Sequence, residues 1–170
     1  MLVFTGRVLH QLVRGYLSPP VVSLDKAVKL TFRCYPVDID AFFHMNNSNY
    51  LLNAELCRWR TLPATSIISR LTSKEGMLFL AAENNVQYFR PIQPMQRYII
   101  STTCSIDKED KWFYYTHTFE EHPDDAKHEA RRFAVVKLKA VVKQNNGITI
   151  KPSVLMEESQ FYKDWVQTVD

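Results

Sequence analysis

The fold is decided by the stretch Asp38-Ile39-Asp40-Ala41-Phe42-Phe43-His44-Met45-Asn46-Asn47-Ser48-Asn49-Tyr50. The segment before it, residues 26–35, alternates apolar and polar side chains as a β-strand does, and Pro36 ends it. The segment after it, residues 47–60, lacks glycine and proline and is apolar around much of its circumference, which is typical of a buried helix. The stretch is therefore predicted to be a loop that leads from a strand into a buried helix.

Downstream of this helix, four long segments show strand-like alternation or are rich in aromatic residues and threonine. They span 77–90, 96–107, 112–121 and 128–144. Mostly short polar turns separate them, so consecutive strands are expected to pair antiparallel. A short strand over 148–151 and a helix over 153–165 complete the prediction. This order predicts an α+β fold in which an antiparallel sheet wraps around one long buried helix.

The composition of the chain excludes some classes of function. The chain has 170 residues and only four glycines, and it contains no glycine-rich nucleotide-binding pattern. A net charge of +3 without runs of like charge argues against nucleic acid and fits an acidic or phosphate-bearing ligand. The three cysteines (Cys34, Cys57 and Cys104) are widely spaced, which predicts buried free thiols and a reducing compartment. We expect an N-terminal segment over 1–25 and a single domain over 26–170.

Residues 1–24 are basic, contain no acid, and place most of their apolar residues on one helical face until Pro19 and Pro20 end the helix. Three interpretations follow: a mitochondrial targeting sequence, an interfacial membrane helix, or a helix that packs on its own domain. The expected location is intracellular, either cytoplasmic or mitochondrial, with peripheral membrane contact through residues 1–24 as a further option. No apolar run approaches the ~20 residues that a spanning helix needs.

The motif Asp-Ile-Asp-x-x-x-His-Met-Asn-Asn-x-x-Tyr at 38–50 resembles the hotdog-fold acyl thioesterases. The likeness includes the 4-hydroxybenzoyl-CoA thioesterase-like group, the plant acyl-carrier-protein thioesterases and the animal thioesterase-superfamily member 6 type. A second patch, from Val86 to Ile92, resembles the segment where these proteins begin their second and third strands. The resemblance runs from about Leu30 to Val142 and implies a hotdog domain, a homodimer or dimer of dimers with a shared site, and no metal or cofactor. The implied ligand is acyl-CoA or acyl carrier protein.

The resemblance aligns Asp40 with the family's catalytic acid and places His44, Asn46, Asn47 and Tyr50 at its H-x-N-N-x-x-Y positions. A carboxylate can attack a thioester as general base for water or as a nucleophile. Backbone N–H groups at the start of the helix would stabilise the oxyanion. Asp40, His44 and Asn46 form the predicted catalytic set, although Asn46 and Asn47 equally suit a helix cap.

The predicted substrate-binding residues are Phe42, Phe43, Asn47, Tyr50, Arg131 and Arg132. The two arginines are expected to meet the phosphates of coenzyme A or an acidic carrier. The acyl chain is expected in an apolar tunnel lined by Phe42, Phe43, Leu78, Phe79 and Leu80. Phe42 stands where the plant enzymes carry an asparagine implicated in catalysis, two residues after the acid. Two further acids are given structural roles: Asp38 pairs with Arg33 or a partner chain, and Glu55 pairs with Arg58.

Three functional hypotheses follow. The leading one is hydrolysis of an acyl thioester to free acid and thiol. The second is a non-catalytic acyl-CoA- or lipid-binding protein that kept the fold, and Phe42 and the basic N-terminus favour it. The third is a hotdog dehydratase that combines His44 on the loop with Glu55 on the helix.

Overall fold

The computed structural model describes residues 2–22, 26–65, 76–125 and 129–168. The helices are α1 (Leu2–Leu17), α2 (Asn47–Thr61), α3 (Pro152–Glu157) and α4 (Gln160–Trp165). The strands are β1 (Val28–Arg33), β2 (Met77–Tyr88), β3 (Arg97–Ile106), β4 (Phe113–Glu121), β5 (Arg132–Gln144), β6 (Thr149–Ile150) and β7 (Gln167–Thr168). The start of the strand predicted at 128 falls on residues 126–128, which lie outside the described residues.

The five long strands form one antiparallel sheet in the order β1-β3-β4-β5-β2. Buried and half-buried residues alternate along the whole of β3 and nearly all of β4, because successive side chains of a strand point to opposite faces. β6 pairs with β5, and β7 runs parallel to β3. Among the described residues β2 pairs on one side only, and most of its residues are exposed.

Helix α2 packs on the inner face of this sheet. Tyr50, Ala54 and Cys57 are buried in a cluster that includes Tyr98 of β3 and Phe119 of β4. The buried amide of Asn53 donates to the hydroxyl of Tyr98 at 2.9 Å, so this polar group is satisfied inside the core. The predicted sheet around one buried helix is confirmed.

Helix α1 packs against α2, so the N-terminal helix docks on its own domain. Gly15 makes this approach possible, because a Cβ atom there would lie 2.7 Å from the carbonyl oxygen of Arg60 and from Cγ of Pro63. Arg60 also donates to the carbonyl of Ser18. No helix within the described residues is long and apolar enough to cross a membrane.

The C-terminal segment departs from the single predicted helix. α3 ends at Glu157, and Ser159 has an extended backbone with φ −137° before α4 begins. The hydroxyl of Ser159 donates to the carbonyl of Ala64. After this break, Tyr162 and Trp165 of α4 lie with Leu155 of α3 in one buried cluster over the sheet.

The three cysteines are free and buried, as predicted. Desolvation raises the pKa of Cys34 to about 11 and that of Cys57 to about 12, and it raises the pKa of Cys104 further. Since the thiolate is the reactive form of cysteine, these thiols are unsuited to nucleophilic catalysis.

His117 of β4 lies completely buried between two polar partners. Its Nδ1 is 2.9 Å from the hydroxyl oxygen of Thr102, and its Nε2 is 3.3 Å from a guanidinium nitrogen of Arg58. Burial, followed by the charge of Arg58, lowers the pKa of His117 well below the ordinary 6.5. The neutral ring therefore accepts at Nε2 from Arg58 and donates at Nδ1 to Thr102.

This arrangement predicts a pH-dependent stability. Below about pH 6.5 the unfolded chain binds a proton at His117 that the folded chain excludes, so the unfolding free energy should fall by about 1.4 kcal/mol per pH unit. Urea unfolding between neutral pH and pH 5 measures this slope. The slope should shrink in His117→Gln and persist in His10→Gln. An identical slope in wild type and His117→Gln would contradict the assignment.

Candidate active site

The loop between β1 and α2 closes on itself through its own backbone. Ile39 and Met45 form an antiparallel bridge, and the N–H of Asp40 donates to the carbonyl of His44 at 3.0 Å. Within this ring, the N–H of Phe43 donates to the carbonyl of Asp40, and the N–H of Phe42 donates to its Oδ1 at 2.9 Å. The Asp40 carboxylate is thus oriented by the backbone of the loop that carries it.

His44 lies beside this carboxylate. Its Nδ1 is 3.6 Å from Oδ2 of Asp40 and 3.2 Å from the carbonyl oxygen of Met45. Its ring stacks on Phe42 with centroids 6.2 Å apart. The structure therefore brings Asp40 and His44 together, and both side chains remain partly accessible.

Asp38 holds the loop in place through hydrogen bonds and an ion pair. Its carbonyl accepts from the N–H of Asn46 and from the side-chain amide of Asn49, both at 2.8 Å. Its carboxylate accepts from the N–H of Tyr35 and lies 2.8 Å from the guanidinium of Arg7. The predicted pairing with Arg33 is wrong, because Arg33 instead donates to the carbonyl of Met95. The true partner comes from α1, which is remote in sequence.

Asn46 is the N-cap of α2. Its Oδ1 accepts from the N–H and the hydroxyl of Ser48 at 2.9 and 2.7 Å, and its carbonyl accepts from the N–H of Asn49. This role accounts for Asn46 without any ligand. Among the described residues, the N–H of Asn47 has no acceptor outside the helix, so the first N–H of α2 remains available.

An open cleft of about 400 Å³ lies at this end of the helix. Its lining residues are His44, Met45, Asn47, Tyr50, Tyr88, Phe89, Arg90 and Pro91. Asp40 does not line the cleft, whereas His44, whose Nδ1 is 3.6 Å from Oδ2 of Asp40, does. Tyr88 donates to the carbonyl of Asn47 at 3.3 Å and contacts Tyr50 edge-on, with ring centroids 5.1 Å apart. Tyr88 and Arg90 were not among the predicted site residues, although the Val86–Ile92 motif carried both.

The remaining predicted substrate residues lie outside this cleft. Phe42 and Phe43 are 81% and 77% exposed, and Phe43 has a φ of +58°, in the left-handed region that bulky residues avoid. Arg131 forms a two-point ion pair with the buried Glu121, whose pKa the arginine lowers. Arg132 is exposed at the start of β5. The carbonyl of Phe133, the residue after Arg132, accepts from the N–H groups of Phe89 and Arg90. Arg131 and Arg132 therefore lie just before a residue that is hydrogen-bonded to the segment bordering the cleft.

A second cavity, of about 290 Å³, adjoins the C-terminal half of α2. Of the five residues predicted to line one acyl tunnel, Leu78 and Phe79 line this cavity, together with Glu55, Arg58 and Trp59. Phe42, Phe43 and Leu80 do not line it, so the predicted single lining is wrong for these three. Glu55 accepts from the indole N–H of Trp59 at 3.1 Å, while Arg58 contacts His117. Glu55 and His44 line different cavities. This argues against the dehydratase hypothesis, which needs the two side chains of one chain in one site. No group of metal-ligating side chains occurs within the described ranges.

The strand order and the helix buried against the sheet define a hotdog fold. The chain belongs to the thioesterase-like superfamily, whose model matches residues 34–158.

Individual proteins show the same likeness. The protein THEM6 of Xenopus laevis is 27% identical over 113 residues, which cover 66% of this chain and 54% of that protein. The chain thus spans about half the length of this curated relative. YbaW, a probable thioesterase from Escherichia coli, superposes with a TM-score of 0.66 at 17% identity, covering 82% of this chain and 98% of its own. A mutant 4-hydroxybenzoyl-CoA thioesterase complexed with 4-hydroxybenzoyl-CoA gives 0.65 at 12% identity, covering 79% and 99%. At such identities the superpositions show the fold.

The two adjacent asparagines at the helix start allow a matched test. Asn46→Ala removes the cap and should lower the unfolding free energy by about 1 kcal/mol. Asn47→Ala should change it little, because the side chain of Asn47 is exposed and has no recorded hydrogen bond in the described part of the chain. Urea unfolding of both variants measures the difference. Equal losses would show that Asn46 is not the dominant cap.

Proposed function

We propose that this protein hydrolyses an acyl thioester of coenzyme A or of an acyl carrier protein, with Asp40 as general base or nucleophile. One observation carries the proposal: an oriented carboxylate lies on the loop that leads to the start of α2, where the N–H of Asn47 has no acceptor among the described residues and His44 of the same loop lines an open cleft. Membership of the thioesterase-like superfamily supports it. The alternative, a hotdog protein that binds acyl-CoA or lipid without hydrolysis, remains favoured by the exposed Phe42.

Thioester hydrolysis needs little help from a general acid, because the leaving thiol has a pKa of about 8.5 and departs as thiolate. As general base, Asp40 takes a proton from water while the water oxygen attacks the thioester carbonyl carbon. As nucleophile, its carboxylate attacks the carbonyl carbon itself and forms a mixed anhydride that water then hydrolyses. In both routes the carbonyl oxygen becomes an oxyanion, for which the N–H of Asn47 is the available backbone donor. His44 orients the carboxylate or donates to the carbonyl.

The substrate contacts follow from exposure and charge. Phe42 and Phe43 present two aromatic rings to solvent on the acid-bearing loop, and the left-handed backbone of Phe43 is strained. A glycine would suit that conformation better. We assign the exposed ring of Phe43 to contact with the acyl group. Arg132 and Arg90 are exposed near the cleft and suit phosphate groups. Arg131 is paired with Glu121, so it would attract the phosphate groups electrostatically rather than bind them directly.

The proposal includes a homodimer formed through β2. One edge of this strand has no partner strand among the described residues, and a second copy can pair with it antiparallel. Such pairing sets the end of one β2 beside the start of the other. The cleft at Tyr88 of one chain would then adjoin the cavity at Leu78 of the second chain, which joins the acid-bearing loop to an apolar cavity.

Replacing the carboxylate tests the chemistry. Asp40→Asn should lower kcat/KM for thiol release by about 10²–10⁴-fold, because the amide neither accepts the proton nor attacks. Release of free thiol is measured on short, long and aromatic acyl-CoAs. Glu55→Gln is the matched control, since Glu55 is the rival carboxylate on α2.

The outcomes separate the hypotheses. Full turnover in Asp40→Asn with loss in Glu55→Gln would move the catalytic acid to the helix. Tight acyl-CoA binding without thiol release by the wild type would favour the non-catalytic alternative. Addition of water to an enoyl thioester would identify a dehydratase.

The dimer is tested by its mass. Sedimentation equilibrium should give twice the 19.9 kDa chain mass, or an even multiple of it. A mass of one chain over the whole concentration range would exclude the shared site.

A further inference from the structure

Helix α1 keeps an apolar face exposed after it has docked on α2. Leu9, Val13, Tyr16 and Leu17 are 60%, 46%, 61% and 78% exposed. Their spacing of three and four residues places all four on one side of the helix. The domain therefore uses one side of α1 for its own packing, at Gly15, and leaves a different apolar side in solvent.

A basic cleft of about 440 Å³ lies on the next side of the same helix, between α1 and β1. Its basic lining residues are Arg7, His10, Arg14, Arg33 and Arg97, and Asp38 is the acid among the residues that line it. Asp38 pairs with Arg7, and Arg97 pairs with Asp124 and Asp125 outside the cleft. Neither Arg14 nor Arg33 forms an ion pair with a described carboxylate. Among the described residues the cleft therefore keeps positive charge outside ion pairs, although Asp125 interacts with Arg33 electrostatically.

The apolar face and the basic cleft adjoin. His10 of the cleft and Leu17 of the apolar face are seven residues apart, which is close to two full turns, so they lie almost in line along the helix. Arg14 stands one turn from both. An apolar stripe bordered by cations is the arrangement by which a helix lies in the headgroup region of a bilayer.

We propose that this surface docks the protein on a membrane that contains anionic phospholipid. Leu9, Val13 and Leu17 enter the apolar boundary of the bilayer, and the cleft around Arg14 and Arg33 receives lipid phosphates. A soluble phosphate would account for the cleft but not for the apolar stripe beside it. The docking is peripheral, and it depends on neither Asp40 nor the proposed hydrolysis.

Vesicle sedimentation tests the proposal with the full chain. Wild type should pellet with phosphatidylcholine vesicles that contain about 30% phosphatidylserine, pellet far less with phosphatidylcholine alone, and be released by salt. The triple variant Leu9→Gln, Val13→Gln, Leu17→Gln should weaken binding by about tenfold or more. The double variant Arg14→Gln, Arg33→Gln should weaken it by at least about fivefold, since each cation near an anionic surface contributes about that factor.

Matched controls remove a similar group elsewhere on the surface. Ile148→Gln replaces an equally exposed apolar residue, and Lys163→Gln removes one cation from α4; both should bind vesicles as wild type does. Circular dichroism confirms that each variant is folded. Failure of wild type to pellet with either vesicle, or undiminished binding by the triple variant, overturns the proposal. Saturable binding of inorganic phosphate without vesicle binding also overturns it and leaves the cleft as a soluble-phosphate site.

Discussion

The carboxylate of Asp38 is 2% exposed, yet it accepts from the N–H of Tyr35 and pairs with Arg7, while its carbonyl accepts from Asn46 and Asn49. One residue thus joins the end of β1, the start of α2 and the N-terminal helix. A buried charge that loses its partner is costly, so these contacts form or fail together. The position of the loop that carries the proposed catalytic acid is set by this junction rather than by contacts of the acid itself.

The two ends of α2 have different surroundings on the inner face of the sheet. Tyr50 at the first turn closes the core below the open cleft, and Arg58 two turns later places a cation against the neutral ring of His117. The N–H of Asn47 at the N-terminal end has no acceptor among the described residues, whereas the C-terminal half borders an apolar cavity. Under the proposed function, polar chemistry and apolar binding take place at opposite ends of one helix, and both ends contact β2.

Much of the fold could be predicted because local periodicity decides it. β3 and β4 alternate without a break, and Asn46 carries the side chain that a helix start requires. Contacts between distant segments could not be predicted in this way. Arg7 reaches Asp38 only because α1 docks on α2, and the break at Ser159 depends on a carbonyl nearly a hundred residues earlier. In the site, Asp40 and His44 were found because they share one loop, whereas Tyr88 approaches from a different strand.

At Gly15, α1 lies so near the rest of the domain that a Cβ atom on this residue would stand 2.7 Å from the carbonyl oxygen of Arg60. The separation between the two helices is therefore controlled by the size of one side chain that takes no part in the sheet or in the loop. A larger side chain at this position would push α1 away from α2 and would weaken the contact between Arg7 and Asp38. The size of this one residue thus limits how closely the N-terminal helix can pack, and through the Arg7–Asp38 contact it affects how that helix holds the acid-bearing loop.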